Sequence, residues 1–146
     1  MTPRIIYLIK RAEIEVTSRM GRALDVFGLT PIQFSILYFI DITKGDLSSA
    51  QLSRRFSMTP QSMNELVQIL ERKKLVKKNV DPQHKRILRI SLTAKGSQLL
   101  TKCNAELDLF EEALLNDLSA NEIGLLRDLL GKILQNARES VDSAKS

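Results

Sequence analysis

The fold is decided by residues 48–73, which read SSAQLSRRFSMTPQSMNELVQILERK. A short helix is predicted over about 48–55, and a tight turn follows it. Thr59 and Pro60 then signal a second helix, because Thr is a good N-cap and proline suits the first helical position. This second helix runs to about residue 73. Two helices joined by so short a turn predict a helix-turn-helix.

The second helix has one apolar face and one polar face. The apolar stripe follows the helical spacing i, i+3, i+4 and i+7, and it consists of Met63, Leu66, Val67 and Leu70. Glutamine and asparagine can contact adenine with two hydrogen bonds, and glutamate can accept one from cytosine. A solvated polar face without a ligand is the alternative. The residues predicted to face a DNA major groove are Thr59, Gln61, Ser62, Asn64, Glu65 and Gln68.

Two short strands are predicted next, over residues 75–80 and 87–92, with a polar loop between them. The loop reads DPQHKR and resembles a DNA-contacting wing, so His84, Lys85 and Arg86 are candidate contacts. A guanidinium suits the negative potential of a narrow minor groove, which makes Arg86 the first choice. An exposed loop arginine is the alternative.

Positive charge is concentrated around this region. Residues 51–90 hold ten lysines and arginines against three acidic residues, whereas the rest of the chain holds twelve against fourteen. A local basic segment is typical of a nucleic-acid footprint, although a solvated basic face is the bland alternative. Hydroxyl and amide groups at a helix start can also hold phosphate. The phosphate candidates are Ser48, Ser49, Arg54, Arg72, Lys73, Lys77 and Lys78.

Further helices are predicted on both sides, over about 3–27, 30–40, 94–115 and 120–138, with a frayed tail after residue 139. The fold class is therefore mainly α with a small β-hairpin wing (α+β). We expect a single domain over 1–146, with a winged-helix core over 30–95, the helix-turn-helix over about 48–73 and the wing over about 75–92. The outer helices, 1–28 and 94–140, carry long apolar faces that predict a homodimer.

Several classes of protein are disfavoured by the residue inventory. With one Cys and one His among 146 residues, neither a disulfide framework nor a zinc site is expected, and we expect no metal and no cofactor. No nucleophile–base pair or phosphate-binding glycine loop is apparent, so an enzyme is not expected. No apolar run is long enough for a membrane span or a signal peptide, which predicts a cytoplasmic protein without a membrane partner.

Cys103 and His84 carry the remaining side-chain chemistry. Cys103 could be a redox sensor only if its thiol had a low pKa, and Glu106 one turn away disfavours this, so core packing is the favoured role. His84 could change charge near neutral pH beside a phosphate, but a passive loop histidine is the favoured role.

The whole chain resembles the MarR family of bacterial and archaeal regulators. The resemblance is carried by segments 28–34 (GLTPIQF), 52–56 (LSRRF), 70–76 (LERKKLV) and 91–96 (SLTAKG), the last of which is similar to the Leu-Thr-x-x-Gly signature of the family. It implies a dimer with interlocked first and last helices, recognition helices in successive major grooves of a palindromic operator, and wings in the adjacent minor grooves. It also implies that a small aromatic ligand can release DNA or that cysteine oxidation can regulate binding.

An effector of this kind would bind at a junction between packed units. The candidate lining residues are Phe34, Tyr38 and Phe39, for which core packing is an equal explanation.

The chain departs from the family pattern at three positions. His84 stands where the wing often has Asp, although Arg86 is kept. Lys74 stands where the family usually has Gly, so a lysine is expected in a left-handed conformation. Glu65 stands where many members carry a cation or a small polar group, and it could pair with Arg55 or Arg72 instead of a base.

The function expected from the sequence is sequence-specific binding of double-stranded DNA by a homodimeric transcriptional regulator. A repressor on a palindromic operator, with a possible small aromatic effector, fits best. The first alternative is a winged-helix protein-interaction module without sequence-specific DNA binding, which Glu65 and His84 motivate. The second is a thiol-based redox regulator that works through Cys103.

Overall fold

Six helices and three short strands form over residues 1–144, the part of the chain that the computed structural model describes. The first unit of the chain, Met1–Leu107, contains most of them, and a second unit begins at Asp108. The single domain predicted over 1–146 stays a prediction. In chain order the elements are α1 (Ile5–Asp25), α2 (Pro31–Ile42), β1 (Leu47–Ser48), α3 (Ser49–Arg55), α4 (Pro60–Arg72), β2 (Val76–Val80), β3 (Leu88–Leu92), α5 (Ala94–Leu114) and α6 (Ala120–Ala144).

Side-chain caps set the starts of the central helices. The Thr59 hydroxyl accepts a hydrogen bond from the backbone N–H of Ser62 at 3.1 Å, and Pro60 occupies the first helical position of α4. Helices α2 and α3 start with complete capping boxes, in which the Thr30 or Ser48 hydroxyl is paired with the third helical residue. Because each cap satisfies an otherwise unpaired N–H, it contributes about 1 kcal/mol to the stability of its helix.

Residues in the left-handed region of φ mark the ends of four helices. Gly28 after α1 has a φ of +69°, and glycine adopts this conformation without a Cβ penalty. Three non-glycine residues adopt the same conformation: Lys44, Ser57 and Lys74 have φ values of +57°, +52° and +61°. The left-handed conformation predicted for Lys74 is therefore confirmed.

The sheet is antiparallel, with strand order β1-β3-β2. Val76 pairs with Leu92 and Val80 with Leu88, so β2 and β3 form the predicted hairpin. Strand β1 was not predicted. Ser48, assigned to the third helix by the sequence, is instead a strand residue and the cap of α3, because its backbone pairs with Arg89.

Apolar side chains of helices α1 to α5 and of the sheet meet in one core. The stripe predicted on α4 is confirmed, since Met63, Val67 and Leu70 are fully buried and Leu66 packs against them. Phe56, directly after α3, is only partly buried. Other fully buried members are Leu24, Ile36, Leu37, Ile40, Leu52, Leu75, Ile90 and Cys103.

The junction between β3 and α5 explains why the chain needs Gly96. Thr93 Oγ1 accepts from the Gly96 N–H at 3.0 Å and donates to the Lys74 carbonyl oxygen at 2.6 Å. A Cβ on Gly96 would collide with the carbonyl oxygen of Leu75. The Leu-Thr-x-x-Gly segment thus closes the wing against the end of α4.

Helix α6 continues to Ala144, so the predicted end near residue 138 and the predicted frayed tail are wrong for the described residues. Its start is held by a capping box between Ser119 and Glu122. Near its end, Ser140 donates to the Asn136 carbonyl and Ser143 to the Glu139 carbonyl. No glycine or proline follows residue 131 to stop the helix.

Large apolar side chains remain exposed on the outer helices. On α1, Ile5 and Ile6 are 64% and 71% exposed. On α6, the exposed residues include Leu125, Leu126, Leu129, Leu130, Ile133 and Leu134. Among residues 1–144, none of the helices is long and apolar enough to span a membrane.

Candidate nucleic-acid interface

The polar face of α4 points away from the core. Gln61, Asn64, Glu65 and Gln68 are all exposed, whereas Ser62 is half-buried. Thr59 is exposed, but its hydroxyl caps α4. It accepts a hydrogen bond from the Ser62 N–H and donates one to Ser62 Oγ at 2.9 Å. Five of the six predicted major-groove residues are therefore exposed, four of them on the polar face of α4.

Helix α3 supports one of these side chains directly. Ser49 Oγ donates a hydrogen bond to Asn64 Oδ1, which ties the start of α3 to the exposed face of α4. The neighbouring Ser48 hydroxyl accepts from the Gln51 N–H at 3.2 Å. Both serine hydroxyls thus have partners within the protein, and their binding of phosphate stays a prediction.

The wing loop is ordered by Asp81, a buried carboxylate at the end of β2. Its Oδ1 accepts from the backbone N–H groups of Gln83 at 2.8 Å and His84 at 3.2 Å. The loop closes where the Asp81 N–H donates to the Ile87 carbonyl at 2.9 Å. The Gln83 N–H first, then the Arg89 guanidinium and, more weakly, the His84 N–H lower the pKa of Asp81, so the carboxylate is charged at neutral pH.

Arg89 connects this loop to the helix-turn-helix. Its Nε donates to Asp81 Oδ2 at 2.8 Å, and its Nη1 donates to Gln51 Oε1 at 3.1 Å and to the Asp46 carbonyl at 3.3 Å. Since Gln51 is part of the capping box of α3, one guanidinium joins the wing, β1 and α3. Sequence reasoning missed this role, because the pattern of a strand indicates the face on which a side chain lies but not the residues that it contacts.

Three polar side chains at the wing tip are free of contacts in the part of the chain that the structure describes. His84, Lys85 and Arg86 are exposed, and within residues 1–144 their side chains make no hydrogen bond or ion pair. The predicted contacts of the wing are therefore presented by a loop whose backbone is fixed and whose side chains are unengaged.

The predicted phosphate contacts divide into two groups. Lys73 donates to the Gly28 carbonyl at 2.6 Å, and Lys78 lies 3.8 Å from a Glu71 carboxylate oxygen. These two lysines have structural partners. In the described part of the chain, no hydrogen bond or ion pair engages the exposed side chains of Arg54, Arg72 and Lys77. The second group is the better placed to meet phosphates.

The aromatic residues proposed for an effector pack against different partners. Phe34 is buried and stacks on Tyr38 with ring centroids 5.9 Å apart. Phe39 instead packs edge-on against Phe56, and Arg55 lies 4.6 Å from its ring centroid. A groove of about 400 Å³ in the second unit contains none of the three predicted residues and is lined by Asp108, Glu111, Glu112, Leu115, Ile123 and Arg127. The effector site stays a prediction.

Cys103 is fully buried in the core. Burial raises the pKa of its thiol, which disfavours the reactive thiolate. The packing role favoured for Cys103 is confirmed by this position. Among residues 1–144, no group of His, Cys, Asp and Glu is arranged to hold a metal ion.

Comparisons with known proteins agree with this architecture. A MarR family model matches residues 27–87. The HTH-type transcriptional repressor Rv2887 of Mycobacterium tuberculosis is 31% identical over 127 residues, which cover 87% of this chain and 91% of the relative. The crystal structure of a MepR–DNA complex from S. aureus superposes with a TM-score of 0.79 at 25% identity, over 92% of this chain and 96% of the other.

The transcriptional regulator BldR from Sulfolobus solfataricus gives a TM-score of 0.80 at 26% identity, over 90% of this chain and 93% of the other. Both structural matches extend over most of the chain, well beyond the helix-turn-helix and the wing.

Proposed function

Because the chain belongs to the MarR family, we propose that it is a transcriptional regulator that binds double-stranded DNA as a homodimer. The observation that carries this proposal is the shared exposure of the polar face of α4 and the unengaged cations of the wing. Together they offer hydrogen-bonding groups for base edges and positive charge for the DNA backbone.

The helix and the wing have separate tasks in this proposal. The exposed groups of α4 read bases in the major groove, with Gln61 and Asn64 in the leading half of the helix. The wing brings Arg86 to the adjacent minor groove, where its charge favours narrow, A·T-rich sequence. Arg54, Arg72 and Lys77 contact phosphates and add affinity without sequence information.

A homodimer explains the exposed apolar faces of the outer helices. Exposure of so many large apolar side chains is unfavourable in water, and pairing with a second copy would reduce it. Two recognition helices related by a two-fold axis would then match a palindromic operator. The dimer places two copies of Arg86 on each operator.

Repression is the regulatory outcome that we propose, since Rv2887 is named a repressor. We place the protein in the cytoplasm, where its DNA target lies, and we propose no enzymatic activity. A small aromatic ligand that weakens operator binding remains part of the proposal, with Phe34, Tyr38 and Phe39 as the candidate lining.

The test is operator binding by Arg86→Ala at several salt concentrations. Loss of two charge contacts per dimer is expected to weaken binding at least tenfold and to reduce the slope of log K against log [salt] by about 2. Lys102→Ala is the matched control, because it removes the same charge from an exposed position on α5. Equal behaviour of the two variants would contradict the wing contact.

A protein-interaction module is the second candidate. Glu65 is exposed in the middle of the polar face of α4, where its charge repels phosphate. Binding to genomic fragments without sequence preference would favour this candidate.

A further inference from the structure

We propose that Ser49 and Asn64 act as one base-reading unit that selects guanine over adenine at one position of each half-site. The proposal rests on the proposed function and names a specificity-determining residue within it. Its basis is the hydrogen bond that Ser49 Oγ donates to Asn64 Oδ1 between the start of α3 and the exposed face of α4.

This hydrogen bond fixes which groups of Asn64 remain available. A carboxamide offers one oxygen acceptor and two N–H donors. The oxygen of Asn64 is engaged by Ser49, and among residues 1–144 its nitrogen has no hydrogen-bond partner. The side chain is exposed, so it presents its two donors to whatever lies against α4.

The base edges of DNA differ in how they meet such a pair of donors. Adenine presents one acceptor, N7, beside the N6 donor, so a bidentate contact with asparagine needs a free carboxamide oxygen. Guanine presents two acceptors, N7 and O6. A carboxamide with an engaged oxygen therefore matches guanine and loses the contact that makes asparagine an adenine reader.

Ser49 is well placed to enforce this orientation. It is the first residue of α3, directly after the capping residue Ser48, so the helix start fixes its backbone. It is half-buried, and its partner in α4 is 15 positions later in the chain. The hydroxyl can therefore hold the Asn64 carboxamide in one orientation before DNA binds, which reduces the entropy lost on binding.

The experiment measures the affinity of the full-length protein for a selected operator and for versions with single base-pair changes. Asn64→Ala first identifies the position that Asn64 reads, because discrimination is lost there and kept elsewhere. At that position the unmutated protein is expected to prefer guanine over adenine by about tenfold. Ser49→Ala frees the carboxamide oxygen and is expected to remove or reverse this preference.

Ser49→Thr is the matched variant, since it keeps the hydroxyl and is expected to keep the preference for guanine. The inference is overturned if the unmutated protein prefers adenine at this position, if Ser49→Ala leaves the preference unchanged, or if Asn64→Ala relaxes no position. Each of these outcomes leaves sequence-specific binding intact. Absence of any sequence preference in the unmutated protein would instead overturn the proposed function.

Discussion

The Arg89 guanidinium lies against the buried Asp81 carboxylate, with Nε donating to Oδ2 at 2.8 Å. The same guanidinium also reaches Gln51 in α3, so the pair joins the wing to the helix-turn-helix. A charged pair with several hydrogen bonds holds its geometry better than an isolated surface ion pair. The position of the wing tip relative to α4 therefore depends on this contact.

Asp81→Asn is expected to weaken operator binding about tenfold, because the amide cannot hold Arg89 with the same charge-assisted bond. Adding Arg86→Ala to this variant should then weaken operator binding little further, because Arg86 is no longer held in position to contact DNA. Gel-shift titrations of the single and double variants measure the coupling.

Asp46→Asn is the control for the charge change. It removes the same charge, and its carboxylate is 85% exposed and 3.9 Å from Arg89 Nε. We expect Asp46→Asn to change the affinity for the operator less than twofold. If the effects of Asp81→Asn and Arg86→Ala multiply without coupling, Asp81 does not act through the wing.

The contribution of Asp81 to stability should depend on pH in a defined direction. Its folded pKa lies below its unfolded value, so the stabilisation is complete above the unfolded pKa and is lost as pH falls through the folded pKa. Urea unfolding of the wild type and Asp81→Asn from pH 7 to pH 2.5 tests this. The difference in unfolding free energy should be constant above about pH 5 and shrink below about pH 4. A difference in unfolding free energy that persists unchanged to pH 2.5 would contradict a stabilising role of the Asp81 charge.

Lys74→Gly is expected to raise the free energy of unfolding by about 1 kcal/mol. A lysine with a φ of +61° bears the steric cost of the left-handed region, and glycine does not. Lys102→Gly is the control, because it places glycine inside α5 and should lower stability by about 1 kcal/mol. Denaturant titration measures the unfolding free energy of both variants. A loss of stability in Lys74→Gly would contradict backbone strain at Lys74.

Cys103 should behave as a core residue and not as a redox switch. A maleimide reagent is expected to modify it slowly in the folded protein and rapidly in urea, because the thiol is buried and its pKa is raised. Operator binding by the wild type and by Cys103→Ser should respond alike to peroxide. Peroxide release of DNA only in the protein that retains Cys103 would restore the redox alternative.

The local parts of the interface could be predicted from the sequence. Thr59 and Pro60 mark the start of α4, and the buried set led by Met63 and Val67 follows from helical spacing. Lys74 stands where the resemblance indicated a glycine, and its positive φ follows from that. These features depend on neighbouring residues, whose signals lie within one or two turns of helix.

The long-range parts could not be predicted. Strand β1 has two residues, Leu47 and Ser48, which is too short to produce a periodic pattern. The contacts of Arg89 reach residues 38 and 43 positions away, and alternation in a strand indicates a face but no partner. The hydrogen bond between Ser49 and Asn64 likewise appears only when α3 packs on α4.

The most direct test of the central claim is selection of bound sequences from a random duplex pool by the full-length protein, at a stated salt concentration. We expect a palindromic consensus with half-site centres about 10 bp apart, which a two-fold dimer with paired recognition helices requires. Recovery of no consensus, with only weak binding that salt abolishes, would contradict sequence-specific regulation and favour the interaction module.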